Sequence, residues 1–222
     1  MIAMMLRRLS GMTALALTAL VSFGAAADSA LIYPGYKAVS STNWSVNAAA
    51  VKHWREMLER WADGKDCESD TCTSKGWAEM VARVKAAGDL MAEIKLANAL
   101  INDPAQHPYV EDIANWKQQD YWETPYEFLK KSGDTEDYAI AKYMLLRAAG
   151  LPAADMQIVA VRIKSLGGVG HAILLVRTDA NAPTFVLDNR VAPILQITLV
   201  KDEFKPQLGL NEESWCVYTG AP

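Results

Sequence analysis

The chain has 222 residues, of which 51% are hydrophobic and 22% charged, with a formal net charge of −4. That length and apolar content suffice for one well-packed domain without requiring a second. The acidic balance argues against a nucleic-acid partner.

The first residues read MIAMMLRRLSGMTALALTALVSFGAAADS, with Arg7 and Arg8 before an apolar run from Met12 to Phe23 and then Ala25, Ala26 and Ala27. This is the pattern of a signal peptide cleaved after Ala27, which leaves residues 28–222 as the mature domain. An uncleaved anchor helix is the alternative, since the run is not far from the roughly 17 residues that span a bilayer. Removing residues 1–27 takes away two arginines and no acid, which moves the formal charge from −4 to −6. No later stretch is long and apolar enough to cross a membrane, so the mature chain is expected to be soluble outside the cytoplasm.

From Asn43 to Gly64 the apolar residues Val51, Trp54, Leu58 and Trp61 fall three or four apart with charges between them, which predicts an amphipathic helix stopped by Gly64. Cys67 and Cys72 follow in a polar, turn-like segment. In an oxidising compartment they could close a small loop by a disulfide; metal ligation is the weaker alternative, because no His or further Cys lies nearby. A second helical pattern carries Trp77, Met80, Val81 and Val84, and a third carries Leu90, Met91, Ile94, Ala97 and Ile101 before Asp103 and Pro104 end it. Thr124, Pro125 and Glu127 make a helix start with a capping box and a proline at the first helical position. Another helix runs from Glu136, with Ile140, Tyr143, Met144 and Leu146 inward, to Gly150.

The last third changes period. MQIVAVRIK alternates, with Val159, Val161 and Ile163 on one face; SLGGVG is a turn; HAILLVRT and TFVLDN are two further strands around DANAP. The expected fold is α+β, helices first and an antiparallel sheet second. Cys216, between Trp215 and Val217, reads as a buried small hydrophobe.

His53 and His107 read as exposed surface residues, whereas His171 opens an apolar strand after a Gly-rich turn. If the following hairpin closes with a four-residue loop at Asp179 to Ala182, Asp188 falls opposite Ile173 and His171 opposite Arg190. His171 and Asp188 are then diagonal neighbours on one face. A carboxylate so placed can hold one imidazole nitrogen and leave the other for a nucleophile carried elsewhere.

The stretch SGDTEDYAIAKYMLLRAAG gathers Asp134, Glu136 and Asp137 around Thr135 at a helix start. Threonine is a good N-cap and acids favour the positive end of a helix, so capping alone would account for these residue types.

Taken together, DYWETPYEFLKKSGDTEDYAIAKYMLLRAAGLP, GHAILLV and FVLDNR resemble the bacterial transglutaminase-like cysteine peptidases, over roughly residues 40 to 200. The resemblance implies a papain/transglutaminase-like fold with N-terminal helices packed on a C-terminal antiparallel sheet. It matches His171 and Asp188 to the family's base and orienting acid. It also sets Thr135 at the position of the nucleophilic cysteine in a Gly-Asp-Cys-Glu-Asp motif. In calcium-binding members, acids matching Asp134, Glu136 and Asp137 hold Ca2+ beside the nucleophile, and such crowded hard oxygen ligands suit calcium; capping and calcium stay open as readings. Periplasmic residence, a protein or peptide substrate such as a surface adhesin, and an inner-membrane receptor that responds to a cyclic dinucleotide are further implications. Three functions compete: a catalytically silent relative that binds a peptide or receptor, an active peptidase using Thr135, His171 and Asp188, and an acyltransferase of the transglutaminase kind.

Overall fold

The computed structural model describes residue 31 and residues 33–46, 48–64 and 74–220. The expected signal peptide and the pair Cys67 and Cys72 lie outside the described residues. Helix α1 (Ala49–Asp63) buries Val51, Trp54 and Met57 and ends at Gly64, whose φ of 63° lets its N–H turn back to the Trp61 carbonyl. It starts later than its apolar spacing suggests, because the Asn43 side chain accepts the Ser45 N–H in a local turn. Helices α2 (Ser74–Lys85) and α3 (Leu90–Ile101) follow, the latter capped by Asp89, which accepts the Ala92 N–H. After the short α4 (Asp112–Asn115), α5 (Pro125–Lys131) begins with the expected capping box between Thr124 and Glu127. Helix α6 (Thr135–Ala149) is buried on every side from Asp137 to Leu146 and closes at Gly150.

Among the described residues seven strands, β1 (Lys37–Ser41), β2 (Met156–Ile163), β3 (Val169–Val176), β4 (Phe185–Leu187), β5 (Leu195–Gln196), β6 (Phe204–Leu210) and β7 (Trp215–Thr219), form one sheet in the order β1-β7-β6-β2-β3-β4-β5. Every pairing is antiparallel. The sequence pattern finds β2, β3 and β4 but not the others. The edge strand β1 exposes Val39 and has no clean alternation. Strand β6 contains Pro206 and an extra residue where its register against β2 shifts between Ala160 and Val161, a bulge that accommodates the proline.

The helices cover one face of this sheet. Trp54, Ile94, Tyr143 and Leu145 meet Ile158, Leu174 and Leu187 in the larger core. On the other face Val159, Val161, Ile173 and Leu175 pack with Tyr33, Phe204 and Ile197, the last from the short α7 (Ile197–Val200). Both faces of β2 and β3 are therefore buried, which explains their near-continuous apolar runs. Among the described residues no helix is long and apolar enough to cross a membrane.

Candidate active site

Helix α6 begins at a constrained corner. Ser132, at the end of α5, is held at φ 61°, a value uncommon for a residue with a β-carbon, and Gly133 follows with no room for one. A β-carbon on Gly133 would lie 2.6 Å from that of Asp137. Asp137 fills this space because it ties the corner together: one oxygen accepts the Asp134 N–H at 3.0 Å and the other accepts the Glu123 N–H at 2.8 Å. Gly133→Ala is accordingly expected to destabilise the fold by about 1–3 kcal/mol, the usual cost of overpacking, measurable by urea denaturation; an unchanged midpoint would show that the corner is not rigid.

Thr135 is the first residue of α6 and half-buried, with its hydroxyl donating to Glu136 Oε2 at 3.0 Å. Among the described residues no hydrogen bond joins Thr135 to His171. Helix α6 lies against β3, the strand that carries His171.

His171 and Asp188 do meet. His171 Nε2 lies 2.9 Å from Asp188 Oδ1, and both side chains are almost wholly buried. The pairing Leu174 to Leu187, Leu175 to Val186 and Val176 to Phe185 is the register of a four-residue loop, although the ladder stops one pair short of Asp188. With Nε2 donating to Asp188, Nδ1 is the nitrogen left to act as a base. Two contacts absent from the sequence reading fix the acid. Arg190 donates from Nη2 to Oδ2 at 2.8 Å and from its backbone N–H to Oδ1 at 2.9 Å, and Asn102, the C-cap of α3, donates from its side chain to the Asp188 carbonyl at 2.9 Å. The Asp-x-Arg spacing of a side-chain-to-backbone turn was the available signal. Burial pushes the Asp188 carboxyl up, but the hydrogen bonds from His171 and Arg190 outweigh it and hold the group well below the usual carboxylate range. Asp188 is thus a fixed anion that orients the imidazole.

The acids of the α6 corner do not form a single ligand set. Among the described residues two groups of three carboxylates have oxygens within 4.8 Å of one another: Asp112, Asp120 and Glu136, and Asp112, Glu123 and Asp137. Glu136 and Asp137 therefore share Asp112 rather than each other, and Asp134 is in neither group. Asp112, Asp120 and Glu123 come from the α4 and α5 approaches and were not singled out in the sequence, because only the fold brings them to α6. Glu123 accepts from Trp116 Nε1 at 2.6 Å with one oxygen, and Asp112 accepts the Tyr121 N–H at 2.5 Å with one of its own. Among the described residues their other oxygens, and Asp134 Oδ1, are buried without a hydrogen-bond partner. Burial and the neighbouring negative charges raise Asp112 to about 6 and push Glu123, Asp134 and Asp137 upward as well. Unsatisfied hard oxygens crowded in a buried site fit a divalent cation such as calcium.

The other histidines depart from expectation. His107 is buried, not exposed: the loop after α3 folds inward, the His107 ring lies 4.9 Å from that of Phe128, and its carbonyl accepts the Tyr138 hydroxyl. Burial lowers its pKa. His53 is half-buried, 3.2 Å from Asp120 and edge-on to Trp122. Cys216 is buried, as the sequence suggests.

A family model described as bacterial transglutaminase-like cysteine proteinase BTLCP matches residues 60–218. Among solved structures, calcium-bound LapG of Legionella pneumophila is similar at 24% identity with a TM-score of 0.56, covering 76% of this chain and 87% of that one. The EGTA-treated form of the same protein gives 24% identity and a TM-score of 0.56, covering 72% and 84%. These likenesses agree with the observed fold of helices against an antiparallel sheet. No curated protein matches the chain.

Proposed function

The chain belongs to the bacterial transglutaminase-like cysteine proteinase family, and from that footing we propose that it is a catalytically silent member, with Thr135 at the nucleophile position, that binds a peptide or receptor partner without cleaving it. The observation that carries this reading is Thr135 itself, whose hydroxyl is engaged with Glu136. A hydroxyl is not ionised near neutral pH, and the β-branched side chain at a helix start has little freedom to turn toward a base. Threonine nucleophiles generally rely on their own α-amine, which an internal residue lacks.

The retained pair of His171 and Asp188 favours the second reading, a calcium-dependent endopeptidase using Thr135, His171 and Asp188 on surface adhesins. The two readings separate in one assay. Adhesin-like fragments incubated with the unsubstituted chain and calcium should stay intact; cleavage that disappears in Thr135→Ala and His171→Ala would establish the second reading instead.

Calcium is the cation proposed for the carboxylates around Asp112, with Asp134, Glu136 and Asp137 on the α6 side and Asp120 and Glu123 facing them. Its charge would offset the mutual repulsion of these acids and fix the corner that presents residue 135. The N-terminal pattern supports export to the periplasm, where surface adhesins and an inner-membrane receptor are candidate partners. Protein recovered from that compartment should begin at Asp28, and a chain starting at Met1 in the membrane fraction would contradict export.

A further inference from the structure

The pairing of β4 with β3 ends at Leu187 and β5 begins at Leu195, so among the described residues no strand pairs with residues 188–194. This loop opens with Asp188 and Arg190. The Arg190 contacts with Asp188 stay within the loop, so they shape it without deciding where it lies. Asp188, Arg190 and Val191 also line an apolar cavity of about 410 Å³ with Val186, Leu195 and Phe204, and on that side close packing does not hold them. Two asparagines one helical turn apart reach the loop from α3. Asn98, within the helix, donates from Nδ2 to the Ala192 carbonyl at 3.1 Å, and Asn102, the C-cap, donates from Nδ2 to the Asp188 carbonyl at 2.9 Å. Asn102 Nδ2 also lies 3.3 Å from Asn98 Oδ1, which joins the two side chains into a ladder.

The helix itself does not call for these residues. Asn98 is 2% exposed and stands in the buried stripe of Ile94, Ala97 and Ile101. Leucine would pack there, whereas asparagine weakens a helix interior and is costly to bury unless its amide is hydrogen-bonded. The loop explains the amides. Carbonyls at 188 and 192, four residues apart, need donors that a neighbouring strand would otherwise supply, and side chains at i and i+4 on a helix stand about 5–6 Å apart. The same helix packs against α6, which begins at Thr135. Helix α3 therefore touches both halves of the site, the helix of residue 135 and the loop of the acid.

We propose that Asn98 and Asn102 are positioning residues of the His171–Asp188 pair, tying the loop that carries Asp188 to α3 and so holding its carboxylate against the His171 imidazole. Residue 188 is gripped at both ends, its carbonyl by Asn102 and its carboxylate by His171 and Arg190. Without the ladder the carbonyl grip is lost. The loop then leans on the imidazole that it orients, and the 2.9 Å contact between His171 Nε2 and Asp188 Oδ1 opens more often. The inference takes His171 and Asp188 as base and acid from the proposed function. Its readout is their hydrogen bond and not turnover, so cleavage by the unsubstituted chain would overturn the silent reading and leave this one intact.

The test measures, by NMR, solvent exchange of the His171 Nε2 proton in the unsubstituted protein, in Asn102→Leu and in Asn98→Leu; the signal is identified by its absence in His171→Gln. Leucine keeps the volume and removes the donor. Interior backbone amides of β2 and β3 report global stability in the same spectra. Relative to those amides, the Nε2 proton should exchange roughly tenfold faster in Asn102→Leu, the protection that one hydrogen bond contributes. A proton that changes only in step with the amides would show that the asparagines serve the fold alone, and would overturn the proposal. So would a proton already too fast to observe in the unsubstituted protein, since no held contact would exist to position. Should Asn102→Leu not fold, Asn98→Leu decides, because Ala192 is exposed and its carbonyl can turn to water. There the relative exchange should still rise at least about twofold, the lower end for one hydrogen bond, and an unmoved ratio would overturn the proposal.

Discussion

Thr135→Cys is expected to raise cleavage of an adhesin-like fragment at least about 100-fold above the unsubstituted chain, the lower end of what a positioned general base contributes. The substitution removes both obstacles of the threonine. A thiol at a helix N-terminus beside an imidazole ionises readily, and the lost methyl frees the approach to a carbonyl. His171 is already oriented by Asp188, and Asp188 is already fixed by Arg190 and Asn102, so no other part of the base–acid pair has to be rebuilt. Adding His171→Ala to Thr135→Cys should return the rate to background. If Thr135→Cys stays inactive, the cleft around residue 135 has lost more than its sulfur, and a purely binding role follows.

Removing divalent cations is expected to lower stability, and more so at higher pH. The acids around Asp112 have folded-state pKa values raised by burial and by one another, from about 6 at Asp112 to about 9 at Asp134. Because the folded state holds these protons more tightly than the unfolded chain does, the stability they contribute is fully present below about pH 4 and is lost as pH rises toward 9. In EGTA the melting temperature should therefore fall across that window. Calcium at about 100 times its dissociation constant should raise it by roughly 5–10 °C at pH 8. The gain should shrink toward pH 5, where protons compete for the same oxygens. Glu123→Gln should abolish most of the response. A melting temperature that ignores calcium, chelator and pH alike would mean that the acids serve only the helix corner.

The helices were legible because spacing and caps agree: Gly64, the Thr124 box with Pro125, and Gly150 stand where the chain turns. The His171–Asp188 contact was legible for a different reason. A hairpin loop of fixed length sets every pair beyond it, so one assumption about Asp179 to Ala182 placed two residues seventeen apart. Strand β6 escaped because Pro206 and a bulge break its pattern. Asp112 and Glu123 escaped because nothing local marks an acid that will face another helix's first turn. His107 was misplaced for the same reason, since its burial depends on Phe128 and Tyr138 rather than on its own loop. Asp134, Glu136 and Asp137 stand out in the sequence as a concentration of charge, but the grouping of Glu136 and Asp137 depends on partners that only the fold supplies, and Asp134 joins neither group.

The central claim is that residue 135 occupies a nucleophile position served by His171, and alkylation of the Thr135→Cys thiol tests it most directly. With calcium present, the rate of iodoacetamide labelling at residue 135, located by peptide mapping, should be measured from pH 5 to 9 in Thr135→Cys and in Thr135→Cys/His171→Ala. The account predicts a thiolate already reactive at pH 6, well below the ordinary thiol pKa of about 8.5, and loss of that low-pH reactivity when His171 is removed. Labelling that rises only near pH 8.5, with the same curve in both proteins, would contradict it.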